Sequence, residues 1–100
     1  WSYTPPQPQA TSLTGSWPNP FNSSTTIGLE VSDESFLTLN VYDVLGRRVR
    51  SLLSDMLPAG VHQVVWDGRD DEGLSVGSGI YIVRMVADDV MSLQRVLLLK

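Results

Sequence analysis

Short stretches in which apolar and polar residues alternate run along the chain from Trp17 to Lys100, broken repeatedly by turn-forming residues. In residues 36–44, Leu37, Leu39 and Val41 fall on one side and Thr38 and Asn40 on the other. Successive side chains of a strand point to opposite faces, so this period of two predicts a half-buried strand. Residues 61–67 set His62, Val64 and Trp66 against Val61, Gln63 and Val65; both sides are partly apolar, and which one faces inward stays open. Residues 80–87 set Tyr81, Val83 and Met85 against Ile80, Ile82 and Arg84, and residues 92–99 carry Leu93, Val96, Leu98 and Leu99. Weaker runs lie at 25–31 and 48–53. Between these runs, Ser32-Asp33-Glu34, Leu45-Gly46-Arg47, Leu57-Pro58-Ala59-Gly60, residues 68–79 and Asp88-Asp89 have the composition of turns. A short helix over 49–56 is disfavoured by β-branched Val49 and by the Gly46-Arg47 turn before it. About six or seven short strands in one small domain fit an all-β antiparallel sandwich.

Residues 1–16 have a different texture. Pro5, Pro6 and Pro8 sit among Gln7, Gln9, Thr11, Ser12, Thr14 and Ser16, with no apolar period to bury. This composition predicts a Pro/Ser/Thr-rich linker over 1–16, stiff where the prolines cluster, and a folded domain over 17–100. The alternative is that Trp1, Tyr3 and Leu13 dock on the domain as an extra edge segment. A chain that starts at Trp1 and stops on an apolar run is expected to be a piece of a longer protein.

Composition narrows the function. Among 100 residues, 42% are hydrophobic and 18% charged, a globular balance. A chain this short has room for one two-layer core and seldom for a deep substrate cleft. The net charge of −4 offers no basic field for phosphates and argues against nucleic acid. With no Cys, a disulfide framework, a thiolate zinc site and a Cys nucleophile are excluded. The apolar run at 96–99 is far shorter than the about 18–20 residues that cross a bilayer. No hydrolase elbow, His-Glu-x-x-His or phosphate loop occurs, and the lone His62 has no signalled partner. No catalytic residue, metal or cofactor is expected.

Several motifs in series carry a resemblance. Trp17-Pro18-Asn19-Pro20-Phe21-Asn22 precedes Ser24-Thr25-Thr26-Ile27; then come Val41-Tyr42-Asp43-Val44-Leu45-Gly46-Arg47-Arg48-Val49, Gly60-Val61-His62, Val65-Trp66-Asp67-Gly68-Arg69-Asp70 and Gly77-Ser78-Gly79-Ile80-Tyr81. Over residues 17–100 this series resembles the C-terminal sorting domains of type IX secretion substrates. The Trp-Asp-Gly and Ser-Gly-Ile-Tyr segments are also similar to the Ig-like domain of the flagellar hook-cap protein. The resemblance implies an immunoglobulin-like sandwich at the C-terminus of a secreted bacterial protein. It implies as partners the outer-membrane secretion machinery, a sortase-like protease and the parent protein upstream, and as location the cell surface or outer membrane.

The residues themselves have local readings beside this one. Pro18 and Pro20 fix φ and remove N–H donors around Asn19, giving either a rigid lead into the first strand or a surface epitope. Tyr42, Asp43, Gly46, Trp66, Asp67, Gly68, Gly79 and Tyr81 are expected to build the fold's turns and core. Arg47 and Arg48 sit at an exposed hairpin tip, solvated or facing an acidic partner. Asp67, Asp70, Asp71 and Glu72 resemble an oxygen-rich calcium loop, but without EF-hand order they are better explained as caps of turn N–H groups. Trp66, Tyr81 and Tyr42 raise a sugar-stacking platform, against which strand aromatics are more often core. Recognition is expected at Pro18, Asn19, Pro20, Arg47, Arg48 and the final strand, Arg95, Val96, Leu97, Leu98, Leu99 and Lys100, through backbone pairing at a sheet edge. The expected function is therefore a non-catalytic sorting or anchoring module, with a passive structural or assembly module and a carbohydrate-binding module as alternatives.

Overall fold

The computed structural model of the chain describes residues 11–88 and 90–100. Its strands are β1 (Ser12–Trp17), β2 (Thr25–Val31), β3 (Ser35–Tyr42), β4 (Arg48–Leu57), β5 (Gly60–Trp66), β6 (Gly79–Ala87) and β7 (Val90–Leu98). They form two sheets, ordered β1-β2-β5 and β4-β3-β6-β7, with every neighbouring pair antiparallel. The protein is the all-β antiparallel sandwich that the alternation predicts.

The core fills from one face of each sheet. Ile27, Leu29 and Val31 come from β2; Leu37, Leu39 and Val41 from β3; Tyr81, Val83 and Met85 from β6; Val96 and Leu98 from β7. The ambiguity of β5 is resolved by its register. Trp66 pairs with Thr25, Val64 with Ile27 and His62 with Leu29, so these β5 residues share the inner face of β2 while Val61 and Val65 point to solvent. His62 is thereby half-buried, and its Nε2 bonds the Pro58 carbonyl at 2.8 Å.

At the centre stands Trp66, fully buried, with Phe21 at 5.5 Å and Tyr81 edge-on at 5.2 Å between ring centroids. Such rings bury the largest apolar areas available, and their polar tips need partners. Both find them locally: Trp66 Nε1 donates to the Arg69 carbonyl at 2.9 Å and Tyr81 OH to the Gly77 carbonyl at 2.7 Å. Burial raises the Tyr81 phenol above its usual 10.0, and the nearby Asp43 charge adds to the shift.

The N-terminal boundary differs from the expectation. Residues 12–16, which composition places in a linker, belong to strand β1, paired with β2 from Ser12↔Glu30 to Trp17↔Thr26. A register shift between Leu13 and Gly15 breaks the period that would reveal the strand, and Gly15, at φ +149°, accommodates it. Leu13 packs on the core, and Thr11 Oγ1 accepts from Ser32 N at 3.1 Å. The remainder of the expected linker, residues 1–10, lies outside the described residues, as does Asp89 of the β6–β7 turn.

Candidate recognition surface

The residues expected to form the recognition surface separate into a buried set and two exposed clusters. Val96 and Leu98 are fully buried and belong to the core, so they offer no side chain to a partner. This corrects their assignment to the recognition strand: alternation puts only every second residue of β7 outside. Arg95, Leu99 and Lys100 are exposed and Leu97 half-buried.

The free edge expected at the end of β7 is already occupied. β7 is the last strand of its sheet, but the segment after β1 lies along its outer side. Asn19 behaves there as a short piece of backbone: its Nδ2 donates to the Arg95 carbonyl at 2.9 Å and its Oδ1 accepts from Leu97 N at 3.0 Å. Phe21 continues the pairing, donating N–H to the Leu97 carbonyl at 2.9 Å and accepting from Leu99 N at 2.8 Å. Pro18 and Pro20, which lack N–H groups, flank Asn19; the Pro18 carbonyl accepts from Thr25 Oγ1 at 2.8 Å, fastening the segment to β2. Strand addition along residues 95–99 would have to displace this native cover. What the arrangement leaves open is a shallow groove of about 520 Å³ lined by Asn19, Pro20, Ile80, Gln94, Arg95 and Leu97. It brings together the prolyl segment and the final strand, which lie more than seventy residues apart in sequence.

The second cluster is the β3–β4 hairpin and the loop beside it. Asp43 Oδ1 accepts from Leu45 N at 2.9 Å and Arg47 N at 3.0 Å, and Oδ2 from Arg47 Nε at 3.0 Å. The main-chain N–H of Arg47 is the chief cause of an Asp43 carboxyl below its usual 3.8; partial desolvation opposes it, and the Arg47 side chain and the Leu45 N–H add to it. Gly46 completes the turn at φ +82°, a conformation a Cβ disfavours. Arg48 pairs with Asp71 at 3.6 Å and Arg50 with Asp67 at 3.4 Å. Arg47 therefore faces Asp43 within its own hairpin, and Arg48 faces Asp71 in a groove of about 430 Å³ that also holds Asp70 and Glu72.

The acidic loop has the turn chemistry favoured for it. Asp67 Oδ1 accepts from Arg69 N at 3.2 Å; Asp70 Oδ1 accepts from Glu72 N and Leu74 N, both at 2.9 Å; Asp71 Oδ1 accepts from Ser51 N at 2.9 Å. Gly68, at φ +70° and buried, lets the loop pass beneath Phe21 and Leu98. Trp66 and Tyr81 are core, so the proposed sugar platform loses both. Tyr42 is half-buried, with the Arg84 guanidinium 5.8 Å from its ring centroid.

Two surface features escape a reading of the sequence by motifs. Trp17 is 47% exposed and lies on the outer face of the three-stranded sheet, over Gly28, where a Cβ would sit 2.8 Å from its ring. The outer face of the four-stranded sheet is apolar across several strands. Phe36 stands opposite Met56, Val86 opposite Met91, Arg84 opposite Leu93, Ile82 opposite Arg95 and Ile80 opposite Leu97. The signal for this face was present: both alternating sets of residues 80–87 are largely apolar.

The family described as the FlgD Ig-like domain matches residues 16–90. The chain belongs to the FlgD Ig-like domain family. Basal-body rod modification protein FlgD of Salmonella typhimurium is 35% identical over 68 residues, covering 67% of this chain and 29% of that protein. The same protein of Salmonella typhi matches equally. The chain thus corresponds to less than a third of these relatives' length. The FlgD Ig-like fold extends to solved structures at lower identity. Dimeric latent PorU of Porphyromonas gingivalis is 21% identical with a TM-score of 0.72, over 97% of this chain and 10% of PorU. PorZ, an essential surface component of the type-IX secretion system of that organism, is 21% identical with a TM-score of 0.57, over 85% of this chain and 11% of PorZ.

Proposed function

We propose that this domain is a non-catalytic sorting or anchoring module that directs a secreted bacterial protein through the outer membrane to the cell surface. The observation that carries the proposal is that the same sandwich is built into PorZ, a surface component of the type-IX secretion system, and into PorU over nearly all of this chain's length. The series of motifs from Trp17 to the last strand supports it. The readable surface is the groove where Asn19 and Pro20 meet Arg95 and Leu97, with Leu99 and Lys100 beside it. The partners are the outer-membrane export machinery and a sortase-like protease, and Arg47 and Arg48, already paired internally, contribute less.

The test is to fuse the chain behind a periplasmically exported fluorescent protein in a type IX-competent bacterium. Deleting β7 is uninformative, because Val96 and Leu98 would leave the core. The informative variant is Arg95→Glu with Leu99→Ser, both exposed positions. Surface fluorescence that depends on these side chains supports the sorting module. Folded fusions that both stay in the periplasm sink it.

A second reading has its own observation. The sequence match to FlgD favours an assembly module that packs against sister domains or a parent protein. Its signature is periplasmic retention together with co-purification of the domain with its own parent's upstream region.

A further inference from the structure

In an antiparallel sandwich the outward positions of each sheet are ordinarily polar, and a strand apolar on both sides belongs to a sheet covered on both faces. β6 has the second pattern: Tyr81, Val83 and Met85 enter the core while Ile80, Ile82 and Val86 point away from it. β7 repeats it, with Met91 and Leu93 58% and 57% exposed. The chain supplies no third layer over this face among the described residues.

The charge of the face is also unlike the rest of the molecule. The chain carries 11 Asp and Glu and a net charge of −4. None of these carboxylates occupies an outward position of β3, β6 or β7; the charges there are Arg84 and Arg95. Arg84 is held in place over the Tyr42 ring.

We infer that the outer face of the β4-β3-β6-β7 sheet docks a protein surface that presents carboxylates between apolar side chains. The carboxylates pair with Arg84 and Arg95, and the apolar groups cover Leu93, Met91 and Ile80. A second copy of this chain is disfavoured, because face-to-face pairing sets arginines against arginines. An anionic lipid surface is disfavoured too, since Arg84 and Arg95 fall short of the cluster of about four or more basic residues that such a surface takes. Four strands of 8 to 10 residues, about 4.8 Å apart and rising about 3.4 Å per residue, give a planar footprint of roughly 600 Å². That falls below the about 800 Å² per partner of stable complexes, which puts the contact in the weak, transient class. The inference does not rest on the export reading: it stands on the apolar outward positions of β6 and β7 and on Arg84 and Arg95, whichever protein carries the domain.

A displayed library of random twelve-residue peptides, selected on the full chain, is the direct probe. Selected peptides should alternate Asp or Glu with apolar residues. Their binding should weaken at least tenfold with Arg84→Glu, at least tenfold with Leu93→Ser, and with rising salt. Both side chains are exposed, and unchanged melting temperatures show that the variants fold. The inference is overturned if selection shows no acidic enrichment, or if the selected peptides bind both variants as they bind the parent chain. It is overturned equally if the same variants abolish binding to phosphatidylglycerol vesicles while peptides fail to bind, or if sedimentation shows that the face mediates self-association. Surface delivery of the fluorescent fusion is a separate readout, so either result can fail without the other.

Discussion

Replacing Asn19 by Ala tests whether the final strand is closed by its own chain. The substitution removes the donor to the Arg95 carbonyl and the acceptor from Leu97 N, at 2.9 and 3.0 Å. Each bond contributes about 0.5–1.5 kcal/mol net, and because both sit at the surface, where water replaces them, the pair should contribute about 1–2 kcal/mol. In a domain of this size such a loss lowers the melting temperature by roughly 5–15 °C. Thermal melts followed by circular dichroism measure it. Hydrogen exchange localises it: the Leu97 amide should exchange much faster, whereas the even-numbered β7 amides, which by the alternation of the ladder face β6, should keep the protection of global unfolding. Asn19→Asp is the control, since it keeps an acceptor for Leu97 N and removes only the donor, so Leu97 should remain protected. If Asn19→Ala melts with the parent chain and leaves Leu97 protected, Phe21 alone holds the edge and the clamp is refuted.

Other outcomes follow from the same geometry. Trp66→Ala empties the centre of the core and should cost about 3–5 kcal/mol, a large share of the stability of a small domain, seen as loss of a cooperative urea transition or a much lower midpoint. Gly28→Ala puts a Cβ 2.6 Å from Thr14 Oγ1 and 2.8 Å from the Trp17 ring; overpacking costs about 1–3 kcal/mol, and a midpoint equal to that of the parent would show the indole lifting freely. Because the Asp43 carboxyl is lowered below 3.8 in the folded chain, its contribution is present above 3.8 and is lost as pH falls through the lower folded value; Asp43→Asn should flatten this acid limb of the stability profile. Tyr81 runs the other way: its raised phenol contributes stability below 10.0 that is lost as pH rises through the folded value, and Tyr81→Phe should remove that alkaline dependence.

Alternation in the sequence by itself determined the all-β class, most strand positions and the inner face of β3, because the side-chain period of two is a local property of extended backbone. It also marked Asp43, Gly46, Asp67 and Gly68 as turn builders, since side-chain acceptors and positive φ act over a few residues. What it missed was set by contacts distant along the chain. β1 was hidden in a polar lead because an edge strand with a register shift shows no clean period, and only its pairing with β2 makes it a strand. The inward side of β5 was undecidable until its register against Ile27 and Leu29 fixed it. The role of Asn19 was invisible for the same reason: it closes the edge of β7, and local sequence contains no term for a partner 78 residues away. The apolar outer face, too, is spelled out strand by strand, yet only the order β4-β3-β6-β7 places those residues side by side as one surface.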